Sequence, residues 1–120
     1  MDITVIHISA SGEGDHFGIL FDNDDPDDDG QDYEPYGPYL IVQRQFEDGD
    51  HRVCYVETHD EDYRGHFRLR LITFSETRFA MEILRRRKRL VSVSYQLSKP
   101  DFEAAERVVN VIFGDQPIQS

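Results

Sequence analysis

The chain has 120 residues, of which 24 are acidic and 13 are Lys or Arg, so its formal net charge is −11. The length fits a single domain spanning 1–120, and 38% hydrophobic residues are enough for one compact core, which argues against a wholly disordered chain. The negative charge argues against nucleic acid and anionic membranes as partners, because phosphate groups repel it.

The charge is unevenly distributed. Residues 1–60 hold 16 acids and two bases, whereas residues 61–120 hold eight acids and 11 bases. Such an asymmetry between halves points to an interaction surface. The single cysteine, Cys54, has no partner for an internal disulfide, the first residues lack the cationic start of a signal peptide, and no apolar run is long enough for a membrane span. We therefore expect a cytoplasmic protein with no membrane segment.

The first part of the chain predicts two strands and a long loop. Residues 3–9 are rich in β-branched residues, and residues 17–21 form a second short strand after a glycine-containing turn at 11–15. Residues 22–38 then hold eight acids, three prolines, two glycines and no base. Because loops longer than about 12–15 residues are usually functional or disordered, this acidic Pro/Tyr-containing loop is the first candidate site.

Three more strands are predicted at 39–46, 51–57 and 66–74. An Asp-Gly dipeptide at 48–49 is a strong signal for a hairpin turn between the first two, and residues 58–65 form a polar connection. The third strand alternates apolar with basic side chains, which predicts a half-buried strand with one basic face. That face consists of His66, Arg68 and Arg70.

Residues 76–88 fit two interpretations. As a helix, they place Phe79, Ala80, Ile83 and Leu84 on one face, with an acid in the first turn and bases in the last, as the helix dipole favours. As a strand, Phe79, Met81 and Ile83 also alternate, after a hairpin turn at 76–77. We favour the additional helix over 76–88, because two end signals agree.

The last third predicts a strand at 90–97 and a helix over about 99–113. Ser98 to Asp101 resembles a capping box with proline in the first turn, and apolar residues from Phe102 to Phe113 recur at helical spacing. Together the elements predict an α+β fold: a two-layer domain with a mainly antiparallel sheet of about five to seven strands, packed by the amphipathic C-terminal helix.

Part of the acidic loop matches a calcium-binding pattern. Asp25, Asp27 and Asp29 alternate ahead of Gly30, so that their carboxylates are spaced to converge on Ca²⁺. Position 12 of such a loop should be a glutamate, but Tyr36 stands there. A Ca²⁺-binding module is therefore an alternative function, and no other cofactor is indicated.

The same loop has the composition of a protein-binding surface. Tyrosines offer large contact areas at low entropic cost, and acids beside them suit a basic partner such as the phosphate-binding site of a nuclease. In the competing interpretation, Tyr33, Tyr36 and Tyr39 pack the loop back onto the sheet. The predicted partner-binding residues are Asp25, Asp27, Asp28, Asp29, Asp32, Tyr33, Glu34 and Tyr36.

Basic residues form a counterpart patch, consisting of Arg85, Arg86, Arg87, Lys88 and Arg89. The run fits binding of phosphate or an acidic partner, capping of a helix end, or pairing with the protein's own acidic loop. The face of His66, Arg68 and Arg70 suggests a second alternative, a small enzyme or phosphate-binding domain. Known catalytic motifs are absent from the sequence, Cys54 fits a packed thiol within a strand, and no catalytic residue is assigned.

The leading hypothesis is therefore a non-enzymatic acidic domain that binds and masks a basic protein partner, as an immunity protein, antitoxin or enzyme inhibitor does. Electrostatic steering would bring the partner in, and tyrosines would anchor it. The sequence leaves both a monomer and a homodimer open.

Overall fold

A computed structural model describes residues 1–23, 38–46, 53–85, 87 and 89–114 of the chain. These residues form eight strands, a short 3₁₀ turn and one helix. In chain order, the elements are β1 (Asp2–Thr4), β2 (His7–Glu13), β3 (His16–Asp22), β4 (Leu40–Gln45), β5 (Cys54–Thr58), η1 (Glu61–Tyr63), β6 (Gly65–Phe74), β7 (Arg78–Leu84), β8 (Arg89–Ser94) and α1 (Lys99–Ile112).

The strands form one sheet in the order β1-β8-β7-β6-β5-β4-β3-β2. Every neighbouring pair is antiparallel except β1 and β8, which are parallel. The two ends of this order are consecutive in the chain: the amide of Val5 donates to the carbonyl of Ser94, and the amide of Ile6 donates to that of Asp22. The sheet therefore curls back on itself, because the strands at its two edges, β1 and β2, are the two halves of one bent segment.

The concave side of the curled sheet holds the core. Alternate residues of each strand point inward, as the two-residue period of a strand requires, and helix α1 packs against β2 and β3 to cover them. The rings of Phe79 and Phe113 lie 6.1 Å apart across this interior. The predicted helix over 99–113 is confirmed, including its Ser98 cap, whose side chain accepts from the amide of Asp101.

The prediction of a helix over 76–88 is wrong, because residues 78–84 form strand β7 between β6 and β8. Phe79, Met81 and Ile83 all have no exposed surface, and they alternate along the strand on its inner face. The alternative interpretation with a hairpin turn at 76–77 is the right one: the amide of Ser75 donates to the carbonyl of Arg78 across that turn.

The predicted α+β class and the mainly antiparallel sheet are confirmed, but the count of five to seven strands is too low. The segment predicted as one strand over 3–9 bends at Val5 and Ile6 and supplies both β1 and β2. Residues 11–13, predicted as part of a turn, belong to β2, and the turn itself is Gly14 and Asp15. The two-layer arrangement is not confirmed, because the sheet is curled around its own core.

Candidate interaction surface

Three connections leave the sheet at the same end. Phe21 pairs with Leu40, and Leu40 pairs with Thr58, so the β3–β4 and β5–β6 connections emerge side by side. Arg68 pairs with Leu84, which brings the β7–β8 connection to this end as well. We call the described residues there, 22–23, 38–40, 58–64 and 84–89 without 86 and 88, the loop end.

Tyr39 is fixed at the loop end by contacts with three different residues. Its side chain is only 6% exposed, and its hydroxyl donates to Glu57 Oε2 across 3.0 Å. Arg64 Nη2 donates to the same hydroxyl across 3.3 Å, and the Tyr39 amide donates to His59 Nδ1 across 3.3 Å. Burial, followed by the hydrogen bond to Glu57, raises the pKa of Tyr39 above its ordinary value. Tyr39 therefore packs the chain onto the sheet, as the competing interpretation of the tyrosines predicted.

The carboxylate of Glu57 is shared by two tyrosines. The hydroxyl of Tyr55 donates to Glu57 Oε1 across 2.7 Å, while Tyr39 occupies the other oxygen. This hydrogen bond is the main cause that raises the pKa of Tyr55, ahead of burial. Both carboxylate oxygens thus accept hydrogen bonds within the protein, and Tyr39, Tyr55, Glu57 and Arg64 form one hydrogen-bonded cluster beneath the loop end.

The arginines at the loop end hold the segment 58–64 in place. Arg64 Nε donates to the Thr58 carbonyl across 2.8 Å, and Arg85 Nη1 donates to the Asp62 carbonyl across 2.9 Å. Arg85 also lies over the ring of Phe67, with 5.0 Å between the guanidinium carbon and the ring centre. These contacts place two cations among main-chain carbonyls and an aromatic ring of the same molecule.

Arg89 makes a similar contact with Tyr63. Its guanidinium carbon lies 5.2 Å from the centre of that ring, and the interaction with Tyr63 raises the pKa of the guanidinium. By contrast, the carboxylate side chains of Glu61 and Asp62 are exposed. The described part of the loop end therefore presents charges of both signs to solvent, because Arg64, Arg85 and Arg87 are exposed as well.

The structure corrects one interpretation of the basic run. Arg85 and Arg87 lie in the connection between β7 and β8, and Arg89 begins β8, so the run caps no helix. Arg85 and Arg89 contact the segment 58–64 of the same molecule, and Arg87 is exposed. Arg86 and Lys88 lie outside the described residues, and so does the acidic segment with which the run was predicted to pair.

His66, Arg68 and Arg70 lie on the exposed face of β6, as predicted. The His66 ring lies 5.3 Å from the ring of Tyr55, and Arg70 Nη2 lies 3.2 Å from Glu82 Oε1. Because every second residue of a strand is about 6.6 Å further along, His66 and Arg70 are about 13 Å apart at the backbone. The strand thus spreads the three side chains along a line, and an acidic neighbour already pairs with one of them.

All eight predicted partner-binding residues, from Asp25 to Tyr36, lie outside the described residues, as does the proposed Ca²⁺ loop of Asp25, Asp27 and Asp29. The described residues that flank this segment are Asn23, directly after β3, and Pro38, two residues before β4, which pairs with β3. Within the described ranges, no group of three or more His, Cys, Asp or Glu side chains is placed to hold a metal ion. No helix in the described part of the chain is long and apolar enough to cross a membrane.

Sequence reasoning missed the cluster around Glu57. The alternation of Tyr55 and Glu57 on one face of a predicted strand was visible, but the partner strand and its register were not. Comparison of the chain with protein-family models, curated proteins and solved structures found no match.

Proposed function

We propose that the protein is a non-enzymatic interaction domain that binds and masks a basic surface of another protein, in the way an immunity protein, antitoxin or enzyme inhibitor does. The observation that carries the proposal is the composition of the acidic segment 24–37 together with the position of the residues that flank it. The segment holds seven acids and no base, and its flanking residues Asn23 and Pro38 lie at the loop end, just after β3 and just before β4.

The surroundings of this segment hold it to the sheet, while the excess of negative charge comes from the segment itself. Arg64 and Arg85 donate to carbonyls of the segment 58–64, and Arg89 lies over the ring of Tyr63, so these neighbouring cations are held against the same molecule. Tyr39 and Glu57 fix the point where the segment rejoins the sheet. A fixed base reduces the entropy that binding has to remove, and concentrated negative charge speeds the encounter with a basic partner.

The test compares two variants with the same net charge. Asp28→Lys/Asp29→Lys reverses two charges in the acidic segment, and Glu103→Lys/Glu106→Lys reverses two exposed charges on α1; each changes the net charge from −11 to about −7. The tagged chains are used to capture proteins from the native host at low and high salt, and captured proteins are identified by mass spectrometry. A protein identified in this way is then purified, and its association rate with each chain is measured.

We expect the unmodified chain and the α1 variant to retain the same basic protein, with an association rate that falls steeply as salt rises. The variant in the acidic segment should associate at least tenfold more slowly and with a weaker salt dependence. Equal association by both variants would contradict the proposal. Calorimetry with Ca²⁺ checks the alternative, because a saturable heat that disappears in Asp25→Asn/Asp27→Asn would favour the metal-binding module.

A further inference from the structure

Strand β2 forms an open edge of the sheet. It pairs with β3 on one side and has no second strand beside it among the described residues. From Ser9 to Glu13 every residue is exposed, on both faces of the strand. Between His7 and Glu13 the strand carries no acidic or basic side chain and no proline, which are the features that usually protect an edge from pairing.

The opposite edge of the sheet is treated differently. Beside β1, the side chain of Asn23 accepts a hydrogen bond from the Ile6 amide across 2.9 Å and donates one to the Thr4 carbonyl across 3.1 Å. One side-chain amide thus bonds to a main-chain group at the end of β1 and to another just after it. In the described part of the chain, no side chain forms a corresponding hydrogen bond with the main chain of Ile8, Ala10 or Gly12, although α1 packs against β2.

The turn between β2 and β3 determines which groups point to the open edge. Glu13 and His16 pair across the two-residue turn Gly14–Asp15, and such a turn closes on a hydrogen-bonded pair. Because hydrogen-bonded pairs alternate along an antiparallel ladder, Glu13, Ser11, Ser9 and His7 bond to β3. The N–H and C=O groups of the other residues point outward; these are Ile8, Ala10 and Gly12.

We propose that this edge is the interface of a homodimer in which β2 pairs antiparallel with β2 of a second copy, centred on Ala10. In this register the outward-pointing residues face one another: Ala10 lies opposite Ala10 of the second copy, and Ile8 lies opposite Gly12. The three pairs form six main-chain hydrogen bonds.

The same register is also complementary in charge. It places His7 of each copy opposite Glu13 of the other, so a hydrogen-bond donor meets a carboxylate at both ends of the interface. Ser9 lies opposite Ser11, and both are small enough for the strands to approach. A second copy fits because the arrangement is its own complement under a two-fold axis, as homodimer interfaces require.

The first test measures the mass of the full chain by sedimentation over a dilution series. We expect the unmodified chain to reach about 28 kDa, twice its mass of 14.0 kDa. In the Ser9→Lys/Ser11→Lys variant, the lysine at position 9 of each copy lies opposite the lysine at position 11 of the other. We expect this dimer to dissociate at concentrations at least tenfold higher than those at which the unmodified dimer dissociates. The variant has a smaller net negative charge than the unmodified chain. If only the overall repulsion between copies mattered, the variant would therefore dimerise more tightly, not less.

Ser9→Glu/Ser11→Lys is the matched variant, because it brings opposite charges together in the same register and should restore the dimer. Ser94→Lys adds a charge to an exposed position on β8 and should leave the mass unchanged. Circular dichroism of each variant checks that it is folded. A mass of 14.0 kDa for the unmodified chain at every concentration would overturn the proposal, and so would a folded Ser9→Lys/Ser11→Lys chain that dimerises as before.

A cross-link tests the register itself. Hydrogen-bonded antiparallel pairs have Cα atoms about 5.5 Å apart, within the range that a disulfide spans. Under mild oxidation Ala10→Cys should form a covalent dimer much faster than Ser94→Cys or the unmodified chain, whose Cys54 is buried. Equal rates for the two variants would overturn the register centred on Ala10.

Discussion

The guanidinium of Arg44 donates a hydrogen bond to the main-chain carbonyl of Ile112 across 2.8 Å, inside the protein. Arg44 lies on β4 with only 4% of its surface exposed, and Ile112 is the last residue of α1. The last carbonyls of a helix have no partner within the helix and carry a partial negative charge, so a cation there is favourable. The contact joins the helix to the sheet, 68 residues away in the chain.

Replacing Arg44 should therefore destabilise the protein strongly. In Arg44→Met the Ile112 carbonyl loses its donor, and the ring of Phe46 loses the guanidinium that lies 4.4 Å from its centre. We expect the free energy of unfolding in urea to fall by about 2–4 kcal/mol. Arg107→Met, at an exposed position on α1, should change it by less than about 0.5 kcal/mol. Equal effects of the two substitutions would show that the buried contact contributes nothing.

Asn23 should stabilise the bend between β1 and β2. Asn23→Ala removes the bonds to Ile6 and Thr4 and leaves the Ile6 amide only its longer bond, 3.3 Å, to the Asp22 carbonyl. We expect a loss of about 1–2 kcal/mol, together with faster hydrogen exchange at the Ile6 amide. Asn110→Ala, on the exposed face of α1, serves as the control. Unchanged exchange at Ile6 would contradict this role.

The elements that could be predicted from the sequence are those whose signals are local. The helix Lys99–Ile112 carries its own cap and its own apolar face, so a short window of sequence was sufficient. Strand β7 was the less favoured of two interpretations, because Phe79, Ala80 and Met81 are consecutive and all buried, so that neither the helical nor the strand period was clear. Its conformation is decided by pairing with β6 and β8, which local periodicity does not report.

The candidate site shows the same division between local and long-range information. The acidic segment and the basic face of β6 were evident from composition and alternation. The contacts of Tyr39 with Glu57 and Arg64 span 18 and 25 residues of sequence, so finding them required the strand register. That register also showed that Tyr39 is a buried anchor, although its neighbours in sequence suggested a contact residue.

Tyr95 should make the protein unstable in alkali. Burial raises the pKa of Tyr95 far above its ordinary value of 10.0, and its hydroxyl donates to the Ser75 carbonyl across 2.8 Å. The unfolded chain therefore loses this proton at a lower pH than the folded protein. The stabilisation is complete below pH 10 and falls above it by up to about 1.4 kcal/mol per pH unit. Urea unfolding at several pH values should show a shallower decline for Tyr95→Phe; an identical decline would contradict the assignment.

Replacing Glu57 should separate the two tyrosines that share its carboxylate. In Glu57→Gln the hydrogen bond that is the main cause of the raised pKa of Tyr55 loses its charged acceptor, so Tyr55 should ionise at a clearly lower pH. Tyr39 should shift less, because burial is the first cause of its raised pKa. The ring-carbon NMR signals of the two tyrosines, followed as pH rises, report both values. Glu76→Gln, in the exposed β6–β7 turn, is the control, and equal shifts of Tyr39 and Tyr55 would show that Glu57 does not distinguish them.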